Sequence, residues 1–344
     1  MSDLVGVIGS GRFGLAMASV LANNSKVLLY SRNPETIAYI NENHEHLGYK
    51  ISKNIIGTHD LERVTEKCKL IFPIVPSQNF RDLMKELNSH LRARHILIHG
   101  TKGLDIHNIS KEDFENGNFT NKDISSMSEV IRQETNVVRI GCLSGPNLSQ
   151  EIMMRKPAAA VVASEFDEVV HAGQIALGCK YFFAFHSNDL RGTELAGAFK
   201  NIIALASGIL AGKELGKNLE ALLITRGLNE MIHFGNSLGI SGEAFLGTAG
   251  IGDLIATATS PLSRNYTFGF YLGQGADVNE LMSNSSNTVE GVMTLKIIHH
   301  LAIKNKLELP IIIMLYKTIF EGYNIDKAVM YLMSNPMAVD VDFL

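Results

Sequence analysis

The sequence predicts an α/β protein in two parts, a doubly wound sheet domain over residues 1–188 followed by an all-α C-terminal domain over residues 189–344. Three observations carry that expectation. Val5 to Ala16 runs from an apolar strand through three glycines into an Ala-rich helix. Strand-like apolar runs then alternate with helical patterns, which implies crossover units and a largely parallel sheet. From Leu190 to Leu332 the apolar residues recur at helical spacing, as in Leu219, Leu222, Leu223, Leu228 and Met231, with almost no strand-like alternation. The change of character falls at Ser187-Asn188-Asp189.

In chain order, Lys26 to Tyr30 reads as the second strand, and a helix is expected from Pro34, a residue suited to a first turn. Asn54 to Gly57 and Leu70 to Pro76 read as strands. Ser77 to Leu91 reads as a helix, with Phe80, Leu83, Met84, Leu87 and Leu91 on one face. Ile96 to Ile98 is a further strand. The polar stretch Asp105 to Ser125, with Asn116-Gly117-Asn118 inside it, reads as an inserted surface loop. A helix at Met127 to Glu134 follows, then strands at Val137 to Leu143, Ala158 to Ala163 and Tyr181 to Phe185.

Composition narrows the function. At 344 residues, 46% hydrophobic and 19% charged, the chain can bury sizeable cores. A formal net charge of -4 gives no global basic field of the kind nucleic-acid binding relies on. The three cysteines, Cys68, Cys142 and Cys179, are scattered and form no C-x-x-C pair, which suits a reducing compartment. No signal-peptide pattern opens the chain, and the most apolar later stretch, Leu195 to Ala211, carries Lys200 and Asn201. A cytoplasmic protein without membrane insertion is expected. His44-x-His46 and His299-His300 lack further spaced ligands, so no metal site is expected.

The glycines give the first functional reading. Gly9 allows a tight turn, Gly11 lets backbone approach a pyrophosphate, and Gly14 lets the helix sit close to the strand, so the helix start can face phosphates. The domain is Rossmann-like. At the end of the second strand, Tyr30-Ser31-Arg32-Asn33 has no acid to hold a ribose hydroxyl, whereas the Arg32 guanidinium suits a ribose phosphate. NADP(H) is favoured, with NAD(H) use left open.

Four further stretches could carry chemistry. Lys102, in Gly100-Thr101-Lys102-Gly103, follows a strand at the sheet edge where open α/β folds bind ligands. Ser144-Gly145-Pro146-Asn147 makes a small-residue turn whose amides could cradle an anion, or in which Asn147 or Ser149 could cap a helix. Lys200 lies in a helix apolar on nearly every side, where an ammonium costs stability unless it is paired or titrates. It is a candidate proton donor, or a lysine that snorkels from a core helix or is capped by Glu194. Asp253 could pair with an ammonium, and Ser263, Arg264 and Asn265 cluster donors of the kind phosphate recognition uses.

Together these motifs resemble the bacterial NAD(P)-dependent glycerol-3-phosphate dehydrogenases over nearly the whole chain. The resemblance rests on six blocks in family order: Gly9 to Gly14, Thr101-Lys102-Gly103, Ser144-Gly145-Pro146, Glu194 to Asn201, Gly250 to Leu254 with Ser263-Arg264-Asn265, and Val289-Glu290-Gly291-Val292. It implies reversible reduction of dihydroxyacetone phosphate to sn-glycerol 3-phosphate, the precursor of the phospholipid backbone. Lys200 would then exchange the proton and Asp253 would stabilise its charged form. Lys102, Gly145, Ser263, Arg264 and Asn265 would complete the substrate site. Ser10, Phe13, Arg32, Tyr49, Lys102, Arg264 and Glu290 would hold the cofactor.

The chain departs from the family pattern at three places. Asn147 stands where the family has a hydroxyl residue in its substrate loop, and Ser149 stands at a cofactor-side alanine. The Asp105 to Ser125 stretch is longer than in typical members, as a lid, an oligomer contact or a tolerated loop would be. The segment around Tyr49 lacks the usual proline and glycine. Two other functions compete: a related two-domain β-hydroxyacid or ketoacid reductase, and a non-catalytic NADPH sensor. A homodimer fits the helical domain, whose periodicity equally reads as internal core.

Overall fold

The computed structural model describes residues 4–284 and 289–334. The chain separates into two compact units, one of residues 1–105 and 125–194 and the other of residues 106–124 and 195–344. The first holds the strands β1 (Leu4–Ile8), β2 (Lys26–Tyr30), β3 (Ile55–Thr58), β4 (Leu70–Pro73), β5 (Ile96–His99), β6 (Arg139–Ser144), β7 (Ala158–Ser164) and β8 (Phe182–Ser187). They form one eight-stranded sheet in the order β8-β7-β6-β5-β4-β1-β2-β3. All neighbouring pairs are parallel except β6 with β7. The chain winds outward from β1 through β2 to β3 and then restarts on the other side at β4, so the switch point lies between β1 and β4. Ligands of open α/β sheets bind beyond the strand ends at such a point.

The sheet is apolar on both faces, which is why its strands read as continuous hydrophobic runs. Val5 and Val7 of β1, with Val27 and Leu29 of β2, enter one core that also holds Leu15, Met17 and Leu21 of the first helix, Arg12–Leu21. Ile8, Leu28 and Tyr30 enter the opposite core, with Phe80, Leu83, Met84 and Leu87 of the helix Phe80–Asn88. That helix is shorter than its apolar spacing predicts. Residues Ser77–Asn79 form a tighter 3-10 turn that leads into it, and it stops at Asn88.

The stretch 105–125 is not the plain loop that its polarity suggests. Asp105–Ile106 and Ile124–Ser125 pair as a short two-stranded sheet, and Lys111–Asn116 is a helix capped by the Ser110 side chain. Phe119 is 1% exposed, and residues 106–124 belong to the helical unit. There Phe119 meets the His300 ring edge-on, Lys304 Nζ donates to the Phe119 carbonyl at 3.0 Å, and Lys296 pairs with Glu115. Polarity misled because one buried aromatic and one half-buried ion pair suffice to seat so short an excursion.

In the helical unit, small residues set the packing. The long helix Leu190–Gly212 runs against Arg264–Gly273 through two glycine pairs spaced four apart. A Cβ on Gly208 or Gly212 would fall 2.0 or 2.2 Å from the carbonyl oxygens of Tyr266 and Phe270. One on Gly269 or Gly273 would fall 2.0 or 2.4 Å from those of Leu205 and Ile209. Backbones can approach this closely only without side chains between them, so the start of the second helix is fixed against the first. By length and composition Leu190–Gly212 could also cross a membrane, yet 89% of its most apolar window is buried inside the protein. It is the core helix of this unit.

A second buried device holds the helix Pro310–Phe320. Its buried first-turn amides at Ile311 and Ile312, which have no intrahelical acceptor, donate to the Glu230 carboxylate at 2.6 and 3.1 Å, in place of a local cap. Burial pushes the Glu230 carboxyl up to about 8, against the opposing pull of those two bonds. A carboxyl raised on folding contributes stability below its unfolded pKa and loses it as pH rises through the folded value. The melting temperature is therefore expected to fall between pH 5 and pH 8 more steeply in the unmodified protein than in Glu230→Gln. Thermal melts across that range check the slope, and parallel curves would contradict it.

Candidate active site

The glycine-rich turn follows β1 at the switch point. Gly9 sits at φ +119°, and a Cβ there would lie 2.0 Å from the Ile74 carbonyl oxygen just beyond β4. A Cβ on Gly14 would lie 1.9 Å from the Gly9 carbonyl oxygen, so the helix can start this close to the strand only with glycine. Gly11 differs: nothing comes within 4 Å of its Cβ position, and it is exposed at the cap of Arg12–Leu21. Two glycines close the turn and the third leaves open backbone at a helix start, the cradle a pyrophosphate needs. The residues present fit a dinucleotide.

The other cofactor candidates of this unit take two positions. Phe13 is partly buried against the core, facing Gly100, while Ser10 offers its carbonyl to His46 Nε2 at 2.8 Å. That bond ties the hairpin of Glu45–His46 and Tyr49–Lys50 to the glycine turn. Tyr49 and Ser149 line one pocket of about 220 Å³ together with Arg12, Leu15 and Gln150. Arg32 is exposed beyond β2, its guanidinium 4.0 Å from Glu86, with side chains 64% and 52% exposed. A pair of that length in water contributes little, so it does not commit the guanidinium.

Lys102 and Gly145, distant in sequence, are brought together: Lys102 Nζ donates to the Gly145 carbonyl at 3.2 Å. Gly145 has φ +125°, a left-handed conformation, and a Cβ there would lie 3.1 Å from the Ala160 Cα. Beside it, both polar atoms of Asn147 and the hydroxyl of Ser144 are buried without a hydrogen-bond partner among the described residues. Asn147 therefore does not cap the following helix Ser149–Met153, whose cap residue is Leu148.

In the helical unit, Lys200 is 5% exposed and Asp253 is 1% exposed. Lys200 Nζ donates to Asp253 Oδ1 at 2.5 Å and to Thr257 Oγ1 at 2.6 Å. Asp253 opens the helix Asp253–Ala258, directly after a π-helical turn at Thr248–Gly252. That turn needs small residues, since a Cβ on Gly250 would meet the Phe245 carbonyl at 2.1 Å. Glu194, the other partner considered for Lys200, is committed elsewhere. Its carboxylate accepts from Ser126 Oγ, from the Ser128 amide and hydroxyl, and pairs with His99 Nε2 at 2.9 Å. Burial alone would push that carboxyl up, but the His99 and Ser128 bonds hold it below the ordinary range.

The donors after Ser260 divide their tasks. Ser263 is buried and caps Arg264–Gly273, its hydroxyl accepting from the Tyr266 amide at 3.3 Å. Arg264 is exposed at the first position of that helix. Asn265 accepts from the Gly291 amide at 3.0 Å, and a Cβ on Gly291 would lie 2.8 Å from the Asn201 carbonyl. The Lys200-Asn201, Asn265 and Glu290-Gly291 blocks thus converge within one unit, with Glu290 opening the helix Glu290–Lys304.

The family described as NAD-dependent glycerol-3-phosphate dehydrogenase matches through its N-terminal part at residues 4–170 and its C-terminal part at residues 189–330. The glycerol-3-phosphate dehydrogenase [NAD(P)+] of Teredinibacter turnerae is 36% identical, over 98% of this chain and 96% of the relative. The chain belongs to the NAD-dependent glycerol-3-phosphate dehydrogenase family. The enzyme of the same name from Pseudomonas aeruginosa is also 36% identical, over 99% and 97% of the two chains. The crystal structure of glycerol-3-phosphate dehydrogenase from Coxiella burnetii aligns with a TM-score of 0.84 at 29% identity, over 97% and 99%. A ketopantoate reductase from Ralstonia eutropha shares the fold alone, at a TM-score of 0.58 and 13% identity.

One member of the lysine cluster escaped the sequence reading. Thr257 accepts from Lys200 and also lies 3.3 Å from Asp253 Oδ1 as a donor. The signal was present, since residues four apart share a helix face and Asp253 opens the helix. Which face met Lys200 depended on how two helices distant in sequence pack.

Proposed function

We propose that this dehydrogenase reduces dihydroxyacetone phosphate to sn-glycerol 3-phosphate, reversibly and with NADPH preferred over NADH, and so supplies the backbone of glycerophospholipids. When bound, the nicotinamide cofactor supplies the hydride that goes to the carbonyl carbon. The Lys200 ammonium gives its proton to the carbonyl oxygen as negative charge develops there, and in the reverse direction takes it back. Asp253 keeps the ammonium form available in a buried setting, where an unpaired cation would be too costly. Thr257 holds the Nζ in place by accepting one of its protons.

The single observation that carries this reading is the buried Lys200-Asp253-Thr257 cluster in a family member whose glycine turn fits a dinucleotide. Gly9, Ser10, Gly11, Phe13, Gly14, Arg32, Tyr49 and Ser149 hold the cofactor, with Lys102, Arg264 and Glu290. Lys102, Gly145, Asn147, Ser263, Arg264 and Asn265 hold the phosphate ester. Besides the Lys102 and Arg264 cations, the side-chain amide nitrogens of Asn147 and Asn265 are donors for it. Incubation of the purified protein with dihydroxyacetone phosphate and NADPH tests the proposal. Formation of sn-glycerol 3-phosphate equimolar with oxidised cofactor is expected, and absence of that product contradicts it.

The cofactor preference rests on Arg32. A charge-assisted contact to a ribose phosphate contributes about 1.5 to 3 kcal/mol, so Arg32→Ala is expected to raise the KM for NADPH about tenfold or more and leave that for NADH nearly unchanged. Steady-state kinetics with both cofactors measure this, and an unaltered NADPH preference would remove Arg32 from the site. We assign the protein to the cytoplasm on its free cysteines, Cys68, Cys142 and Cys179. A homodimer is the assembly we propose, and light scattering decides it.

A further inference from the structure

We propose that Arg81 is a positioning residue for Lys102 and acts through Asp105. The proposal rests on reading Lys102 as a substrate contact. Lysine carries its charge on a flexible four-carbon stem, so where the ammonium is presented depends on a fixed backbone beneath it. The loop after β5 is tied at three points. Thr101 Oγ1 donates to the Val75 carbonyl at 2.7 Å, and Gly103 closes over Ser77, where a Cβ would lie 2.8 Å away. The third tie is Asp105, three residues beyond Lys102.

Arg81 makes that third tie from the second position of the helix Phe80–Asn88. Its Nε and Nη2 both donate to Asp105 Oδ2, at 2.9 and 2.7 Å. Nη2 also donates to Gln133 Oε1 at 2.7 Å, and Nη1 donates to Glu134 Oε1. The side chains of Arg81 and Asp105 are only 16% and 10% exposed, so this is no screened surface pair. The turn that supplies Ser77 leads directly into the helix that supplies Arg81, so one element grips the loop at both Gly103 and Asp105. Arg81 contacts neither Lys102 nor Gly145 in any described bond, and its effect passes through the loop backbone.

The test separates Asp105 from Glu134, which Arg81 also binds but which does not belong to the loop. Arg81→Lys keeps the charge and loses the fork, and Asp105→Asn loosens the same tie from its other end. Both are expected to raise the KM for dihydroxyacetone phosphate about tenfold at saturating NADPH, with kcat within about twofold. Glu134→Gln is expected to leave KM unchanged. In a Lys102→Ala background, Arg81→Lys should add nothing, because the residue it positions is gone. An equal rise in both backgrounds, or a rise in Glu134→Gln matching that in Asp105→Asn, would overturn the proposal and make Arg81 merely structural. Amide hydrogen exchange over residues 100–105 reads the same loop without turnover. It should quicken in Arg81→Lys and Asp105→Asn and not in Glu134→Gln, even if another carbonyl compound proves to be the substrate. Unchanged exchange would refute the proposal on its own.

Discussion

Replacing Lys200 with alanine is expected to lower kcat by about 10²- to 10⁴-fold, the range a positioned acid contributes. Hydride delivery alone leaves negative charge on the substrate oxygen, and in a buried site no bulk water stands ready to protonate it. The cofactor affinity should stay within about threefold, because the glycine turn and Arg32 belong to the other unit. The same substitution leaves Asp253, 1% exposed, without its cation. Breaking a buried pair by removing one partner costs about 3 to 5 kcal/mol, so the melting temperature should fall as well. Kinetics are therefore to be compared well below the lowered transition. Unimpaired turnover by folded Lys200→Ala would remove Lys200 from the chemistry.

Gly9→Ala and Gly11→Ala are expected to fail in different ways. At Gly9 the left-handed φ and the Ile74 carbonyl 2.0 Å from the new Cβ oblige the turn to move. Strain and a steric clash together should cost about 3 kcal/mol or more, visible as a lower melting temperature without any ligand. At Gly11 a Cβ meets nothing within 4 Å and the φ of -67° suits alanine, so the free protein should melt as before. A methyl group there nonetheless stands where the pyrophosphate must approach the backbone. The KM for NADPH should rise about tenfold or more while kcat at saturation changes little. Thermal melts paired with cofactor titrations distinguish the two. A normal KM in Gly11→Ala would place the phosphates elsewhere.

The glycine turn was legible because three constraints, spacing, a preceding apolar strand and a following Ala-rich helix, coincide within twelve residues. Lys200 was legible because a charge in an apolar helix is costly and asks for a partner. The partner's neighbour was not: Thr257 depends on a helix register that only tertiary packing fixes. The glycine pairs Gly208 and Gly212, Gly269 and Gly273 stand plainly in the sequence, yet which helix each would meet is a long-range fact. Polarity alone misjudged residues 106–124, where Phe119 and the Glu115-Lys296 pair seat a short helix in the helical unit. Among the donors, Ser263 reads from the sequence only as part of a phosphate-recognising cluster, and its capping of Arg264–Gly273 depends on where that helix starts. Asn147 could have been a cap, but both its polar atoms are buried and bond to nothing in the helix that follows.

Comparison of kcat/KM for dihydroxyacetone phosphate with that for small 2-oxo acids, under saturating NADPH, tests most directly whether the proposed substrate residues choose a phosphate ester. If Lys102, Asn147, Arg264 and Asn265 bind the phosphate as proposed, dihydroxyacetone phosphate should be favoured by about 100-fold or more, since leaving such polar groups unpaired with the wrong substrate is costly. Equal or greater kcat/KM on a 2-oxo acid would contradict it and make the protein a ketoacid reductase of the same build.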